Sequence, residues 1–405
     1  MKIAFLCDYY YPFEVSGAEV SSRLLAENLQ SKGVSFVIVT PNFGNRNEEE
    51  INKVKVKRFP FLKQKKITPL PPRIVDSPFW FLYAAFWIWK TLKDENINIL
   101  QVQNKNMVIP ASLANIFLQK PLIIIVRDYR LLCDLAVCLL DGQDKICGLK
   151  KYLTFDIPRF IRQFKKRGIA VPYQYLVGCY ELFVRQTNKF FLNRASKVVC
   201  LSLNQQKIYR GAGIGNTTKI FNPINLEGFD RKDSMPREKI ILFVGRYTVG
   251  KGKKLLDKVI PRFLNRHKDW KFIVLSKTNF DLECARLEHI EVLPYFEFQQ
   301  LMARSSLCVI PSVWPEPLSR TALDALSLAT PVIASNRGSM EEIVIDGKYG
   351  YVSDLNEVDF LKAIEKGIQK QSTLSKNIYR DRRKLKIKFF DEPLKAYIRL
   401  YQNLQ

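Results

Sequence analysis

Short apolar runs alternate with amphipathic stretches along most of the chain. Lys2–Cys7, Ser35–Thr40, Ile97–Val102, Pro121–Val126, Lys197–Leu201 and Thr218–Phe221 are β-rich runs of strand length, the pattern of strands covered on both faces. Ala18–Lys32 and Met107–Leu118 between them read as helices. Such alternation predicts βαβ units and a parallel, doubly wound sheet. The rhythm pauses at "NPINLEGFDRKDSMPR" (Asn222–Arg237), which is polar and rich in turn residues. It restarts with strands over Lys239–Gly245, Trp270–Leu275, Ile290–Leu293, Leu307–Ile310 and Pro331–Ser335, and with helices over Lys253–Phe263 and Arg320–Leu328. The prediction is therefore two α/β domains, residues 1–224 and 225–388, with a helical insertion at about 149–194 and a final helix at about 389–405 that packs back on the first domain. In open α/β sheets ligands bind at the carboxyl ends of the strands, so two such domains facing each other would create a cleft.

The longest apolar stretch, Phe79–Trp89, is well short of the ~20 residues a membrane span needs. The opening Met1–Leu6 run is too short for an export signal and reads as a buried strand. A cytoplasmic chain with reduced cysteines is the expectation. Over 405 residues, 47% hydrophobic and 12% aromatic content exclude a disordered chain. The net charge of +25 exceeds what solubility asks for and implies an anionic partner. Nucleic acid, phosphorylated small molecules and anionic lipid headgroups all qualify.

Three stretches carry candidate chemistry. The loop after the first strand, "DYYYPFEVSGAEV", brings Gly17 to the start of a helix, where backbone amides suit an anion. In "LFVGRYTVGKGKKLL" a strand runs into Arg246, Lys251 and Gly252, and two cations beside a strand end suit a diphosphate. It is not a GxxxxGK[ST] phosphate loop, because Gly252 follows Lys251. In "WPEPLSRTALDALSLATPVIAS", Glu316 stands in a proline-flanked loop, Ser319 falls at a helix N-cap and Asp324 interrupts an apolar helical pattern. Fully helical spacing would put the two acids at most ~12 Å apart, and carboxylates accept hydrogen bonds from sugar hydroxyls.

Together with "VCLSLNQQKI", "FNPIN", "PSVWPEPLSRTALDALSLATPVIASNRGSMEEIV" and "DGKYGYV", these stretches resemble the retaining glycosyltransferases of family 4. The resemblance runs over nearly the whole chain in family order. It implies a GT-B fold, two Rossmann-like domains with parallel sheets facing a central cleft, the first on the acceptor side and the second holding the donor. It implies transfer of a sugar from a nucleotide-sugar to a hydroxyl of a glycan or lipid-linked acceptor with retention of configuration. Arg246 and Lys251 would neutralise the leaving diphosphate, Glu316 would contact the donor sugar, and Asp324 would grip the ribose. Amides around Leu318, Ser319 and Arg320 would meet the phosphates, and Gly17 would let its loop approach them. The sequence departs from the family at Asp324, where a glutamate is usual, at Ser16 and Ser319, which replace glycines, and at Arg127-Asp128, where many relatives carry a histidine before the aspartate. Arg127 would bind an anionic sugar or acceptor group, or pair with Asp128.

The 2 histidines, His267 and His289, read as surface groups, and no Asp-x-Asp pair of the metal-dependent kind occurs. A metal-independent reaction without cofactor follows, the basic residues supplying the electrostatic work of a divalent ion. Cys133, Cys138 and Cys147 cluster without a Cys-x-x-Cys or a nearby histidine. They read as buried reduced thiols rather than a zinc site. The stretches Val54–Lys66, Arg159–Arg167 and Asp381–Lys388 are basic, with Phe59, Phe61, Phe160 and Phe164 interleaved. Part of this is solvated face and core, and the rest predicts peripheral docking on the inner, anionic face of the cell membrane, with those phenylalanines as candidates to insert where they are not core. Charge alone also fits a nucleic-acid binder, although no binding motif is present and none is expected. A non-catalytic nucleotide-sugar binder is the remaining alternative.

Overall fold

The computed structural model describes residues 1–13, 17–61, 75, 77–133, 137–142, 144–158, 171–224, 237–278 and 280–405. The chain forms two compact units. Met1–Pro223 and Pro393–Gln405 make the first, Ile224–Glu392 the second.

The first unit is built on strands β1 (Lys2–Leu6), β2 (Ser35–Pro41), β3 (Glu48–Ile51), β4 (Val54–Phe59), β5 (Ile99–Val102), β6 (Leu122–Val126), β7 (Lys197–Cys200) and β8 (Thr217–Lys219). They form one sheet in the order β3-β4-β2-β1-β5-β6-β7-β8, parallel throughout except for the β3–β4 pair. The order reverses between β1 and β5, the switch point at which such sheets bind ligands. Helices α1 (Gly17–Gln30), α2 (Pro78–Leu92), α3 (Val108–Leu118), α4 (Val171–Arg194) and α5 (Leu203–Gly211) connect the strands. Local chemistry sets their starts. Ser77 accepts from the Trp80 amide ahead of Pro78 in α2, and Ser202 accepts from the Gln205 amide at α5.

The basic Val54–Lys66 stretch is corrected in part. Val54–Phe59 is a strand with period-2 burial: Val54, Val56 and Phe59 face the core. Phe59 is only 2% exposed and packs on Trp80 and Tyr83, so it cannot insert into a membrane. Phe61 packs between Phe43 and Trp80. The strand's lysines are also spoken for: Lys55 and Lys57, joined by Lys2 of β1, converge on Glu95 at 2.9, 2.5 and 2.5 Å. Against the upward push of partial burial, hydrogen bonds from these lysines hold Glu95 down at about 2. Phe160, Phe164 and the Arg159–Arg167 run lie outside the described residues.

The second unit holds β9 (Glu238–Val244), β10 (Lys271–Leu275), β11 (Leu287–Ile290), β12 (Ser305–Ile310), β13 (Val332–Ser335) and β14 (Gly350–Ser353). They form an all-parallel sheet in the order β11-β10-β9-β12-β13-β14. Here the order reverses between β9 and β12. Its helices are α6 (Lys253–Arg266), α7 (Tyr295–Arg304), α8 (Arg320–Ser327), α9 (Glu357–Gln369) and α10 (Gln371–Lys386). Ile241, Phe243, Val259, Phe263, Val309 and Ile333 belong to its core. The strand expected at Ile290–Leu293 sits earlier, at Leu287–Ile290. Arg286 turns the chain in a left-handed conformation, and Leu287 then pairs with Phe272. The last helix, α11 (Glu392–Gln402), buries Tyr397 and Tyr401, with the Tyr397 hydroxyl on Asn222 Oδ1 of the first unit at 3.3 Å.

Candidate functional site

The ends of β9 and β12 lie side by side at the switch point of the second sheet, and the loops leaving them are fastened together. After β9 comes Gly245, with φ of +139°, and then the exposed Arg246. Tyr247 anchors the loop: its amide donates to Ser276 and Thr278, its hydroxyl to Asp257, and its ring packs on Phe280. The Gly250 carbonyl accepts from the amides of both Val313 and Trp314 at 3.0 Å. Gly252 takes φ of +91°, and a Cβ there would stand 2.2 Å from the Pro311 carbonyl oxygen. The glycine is therefore required for close approach as well as for its left-handed backbone.

That fastening brings Lys251 Nζ to 2.5 Å from Glu316 Oε1. Ser312 donates to the same carboxylate oxygen at 3.0 Å. Glu316 is 9% exposed, so its charge is largely met by this lysine and hydroxyl. Its backbone is gripped from the other side: the Ser339 amide donates to the Glu316 carbonyl at 2.9 Å. Gly338, with φ of +67°, lies so close that a Cβ would be 2.3 Å from the Glu316 nitrogen.

Ser319 caps α8 by accepting from the Ala322 amide, while its own amide donates to the Ser339 hydroxyl. Leu318 and Arg320 flank the cap, both half-buried. Asp324 follows one turn into the helix and is also half-buried. Desolvation lifts its carboxyl from the ordinary carboxylate range to about 6, against the counter-pull of Arg320. Because the shift is upward, the folded protein holds a proton that the unfolded chain has already released between the ordinary value and about 6. Stability of the ligand-free protein accordingly falls as pH rises through that window. Asp324→Asn removes the penalty. We expect it to raise stability at pH 7 by on the order of 2 kcal/mol and to leave it nearly unchanged below the ordinary carboxylate range, as read by urea unfolding at the two pH values.

The structure thus brings together Lys251 and Glu316, and sets Ser319, Arg320 and Asp324 on the helix that follows. Ser312, Gly338 and Ser339 were not assigned roles from sequence. All three fall inside the stretch that begins at Pro311 and resembles the family, and "NRGS" ahead of Glu341-Glu342 marked the turn that holds Gly338 and Ser339. In the first unit, Arg127 leaves the end of β6 and donates to the Gln103 carbonyl at 2.9 Å, to Gln103 Oε1 at 2.6 Å and to the Ser22 hydroxyl at 2.9 Å. Asp128 makes its ion pair with Arg130 at 2.7 Å, closing a tight turn in which it also accepts the Arg130 amide. Arg127 is therefore a tie between β6, β5 and α1 at that unit's own switch point. Gly17 opens α1 there and accepts from the Ser21 hydroxyl. Residues 14–16 of its loop lie outside the described residues.

Comparison with known proteins bears on both units. Sucrose-phosphate synthase from Thermosynechococcus elongatus superposes with a TM-score of 0.71 at 17% identity, covering 100% of this chain and 98% of that one. The Anabaena protein HepE in complex with UDP gives 0.68 at 15% identity, covering 100% of both. The fold is GT-B, the mixed α/β class with two parallel-dominated sheets. Residues 238–370, all within the second unit, match the family described as Glycosyl transferases group 1. Spore coat protein SA of Bacillus subtilis is 28% identical over 131 residues, 28% of this chain and 35% of that protein. An uncharacterised 42.6 kDa protein in the cps region of Klebsiella pneumoniae is 24% identical over 397 residues, 89% of this chain and 92% of that one. The match to the first of these relatives thus spans about a third of its length.

Proposed function

We propose that the protein transfers a sugar from a nucleotide-sugar to a hydroxyl of a glycan or lipid-linked acceptor, and that the second unit holds the donor. One observation carries this reading: Lys251 and Glu316 are paired at the β9/β12 switch point, directly before the capped start of α8. A diphosphate set over that helix start meets backbone amides near Leu318, Ser319 and Arg320, with Lys251 and Arg246 as its cations. The ribose hydroxyls donate to Asp324 and a sugar hydroxyl to Glu316. When the bond from the anomeric carbon to the phosphate oxygen breaks, charge builds on the departing nucleoside diphosphate. Fixed cations stabilise that charge more in the transition state than in the ground state. They supply what a divalent ion would, so the reaction is metal-independent in this reading. Attack from the face of the leaving group retains configuration and needs no protein nucleophile.

HepE was solved with UDP and with UDP-glucose, which makes UDP-sugars the first donors to try. Incubation with UDP-, GDP- and ADP-sugars should release one nucleoside diphosphate. The released rate should not rise on adding Mg2+ or Mn2+, and the product anomer read by NMR should match the donor's. Failure of every donor under these conditions leaves a binder or a different chemistry. The ribose contact needs ionised Asp324, so donor affinity should strengthen as pH rises through about 6, opposite in sign to the stability trend. Calorimetric titration across that window checks it.

The acceptor side of the proposal rests on the first unit's surface. Phe79, Leu82 and Phe86 of α2 and Ile116 and Phe117 of α3 are exposed large apolar side chains on two helices packed together, Phe79 at 83% and Phe117 at 75%. Lys90 and Lys93 stand over the Trp87 and Trp89 rings at the same helix end. No helix among the described residues is long and apolar enough to cross a membrane. Aromatic groups rimmed by lysines suit the surface of an anionic bilayer instead. We expect the full chain to float with liposomes containing anionic lipid, and Phe79→Ser/Phe117→Ser to abolish flotation with its Tm kept. A chain that shifts duplex or single-stranded nucleic acid but ignores such liposomes would move the charge argument to that partner.

A further inference from the structure

Three cysteines close together along the chain, Cys133, Cys138 and Cys147, meet in the first unit. Cys133 follows β6 and is set by a turn in which both its amide and that of Leu132 donate to the Tyr129 carbonyl. Cys138 sits in the short 3-10 turn Val137–Asp141. Cys147 comes just before the Leu149–Lys151 turn of helix. All three are buried, at 0%, 0% and 4% exposure, and their Sγ atoms lie within 4.8 Å of one another. The Cys133 and Cys147 sulfurs are 3.8 Å apart.

Two observations bear on what the cluster can hold. Zinc–thiolate bonds of ~2.3 Å at a tetrahedral angle set sulfurs ~3.8 Å apart, the separation of the Cys133–Cys147 pair. A cation also addresses the cluster: Arg185 of α4 places Nη1 at 3.8 Å from the Cys147 sulfur and donates from Nη2 to the Cys147 carbonyl at 2.8 Å. A neutral thiol is a weak acceptor, so the half-buried Arg185 guanidinium is better matched by thiolate.

We propose that Cys133, Cys138 and Cys147 bind a structural zinc ion that ties the chain after β6 to the turns at Val137–Asp141 and Leu149–Lys151. Binding is balanced as Zn2+ plus three thiols giving a zinc tris-thiolate of charge −1 and three protons. Arg185 offsets that charge. The reading concerns folding of the first unit and is independent of where the donor binds. Binding releases protons, so zinc should leave as pH falls.

The full chain, purified without chelator, should carry roughly one zinc per molecule by elemental analysis. Exchange for Co2+ should give thiolate-to-cobalt charge transfer and the visible bands of tetrahedral cobalt. Cys138→Ser should lose both signals, Cys138→His should keep the metal with a shifted cobalt spectrum, and Cys284→Ser in the second unit should change neither. Stripping zinc from the parent protein with a strong chelator should lower its Tm, and restoring zinc should recover it, a comparison that does not depend on any variant folding. The proposal is overturned if the parent protein holds no zinc and binds no Co2+, if its metal is iron, or if mass spectrometry finds a Cys133–Cys147 disulfide in the protein purified under reducing conditions.

Discussion

Lys251→Ala lowers kcat for donor cleavage by on the order of 10²–10³-fold while leaving the Tm within a few degrees of the parent's. The lysine is partly exposed, so its removal costs little packing, but it is the cation paired with Glu316 at 2.5 Å. Without it the Glu316 carboxylate keeps only the Ser312 hydroxyl, at 3.0 Å, and repels the diphosphate it should sit beside. Lys251→Arg keeps the charge on a longer, planar head and should recover part of the rate. Glu316→Ala should also abolish turnover of every donor tried. Because the two side chains share one contact, the double variant should lose less than the sum of the singles on a free-energy scale. Additive losses would mean that the pair does not act as a unit.

The second large effect is on the backbone that carries Glu316. Gly338→Ala should destabilise the protein by about 2–4 kcal/mol, combining the left-handed backbone cost with the clash, and should depress turnover in the fraction that remains folded. The clash is against main chain: the new Cβ would stand 2.3 Å from the Glu316 nitrogen and 2.4 Å from its carbonyl oxygen. Nothing flexible can yield there, so Glu316 itself moves. Gly347 provides the control. It has φ of +69°, almost the same as Gly338, with nothing within 4 Å of a built Cβ. Gly347→Ala should cost only about 1 kcal/mol and leave turnover per folded molecule unchanged. Equal activity losses in the two variants would show that the Gly338 contact has no bearing on the site.

The central strands were legible because burial on both faces makes them continuous apolar runs. β1, β5, β6, β9, β12 and β13 all lie within a residue or two of their expected positions. The edge pair β3–β4 was not. Glu48–Ile51 is acidic and half-solvated, and Val54–Phe59 interleaves lysines with its buried valines, so charge masked the alternation. The same masking made Phe59 look like a surface group. Exposure of Phe79 and Phe117 is a tertiary fact: it depends on which faces of α2 and α3 are covered, and both helices are apolar nearly all round.

In the candidate site, the sequence offered Lys251, Glu316 and Asp324 as separate signals. It did not show that Gly250 accepts from Val313 and Trp314, which is what joins the first two. Such long-range main-chain bonds leave no residue-type signature beyond the glycines that permit them. Arg127 was expected to bind an anionic sugar or acceptor group, or to pair with Asp128; its hydrogen bonds to Gln103 and Ser22 were not foreseen. Those partners come from other elements and could not be found by looking along the loop. The three cysteines show the same limit. Their spacing has no metal-site pattern, and only the fold brings the sulfurs within 4.8 Å.

The measurement closest to the central claim is ligand-induced thermal stabilisation, since a ligand bound only by the folded state raises the apparent Tm. UDP-, GDP- and ADP-sugars should be compared on the parent protein, Lys251→Ala and Asp324→Ala. The account predicts that one nucleotide class raises the parent's Tm by several degrees at saturation and that both variants lose most of that shift. Equal shifts in all three proteins, or none with any donor, would contradict it.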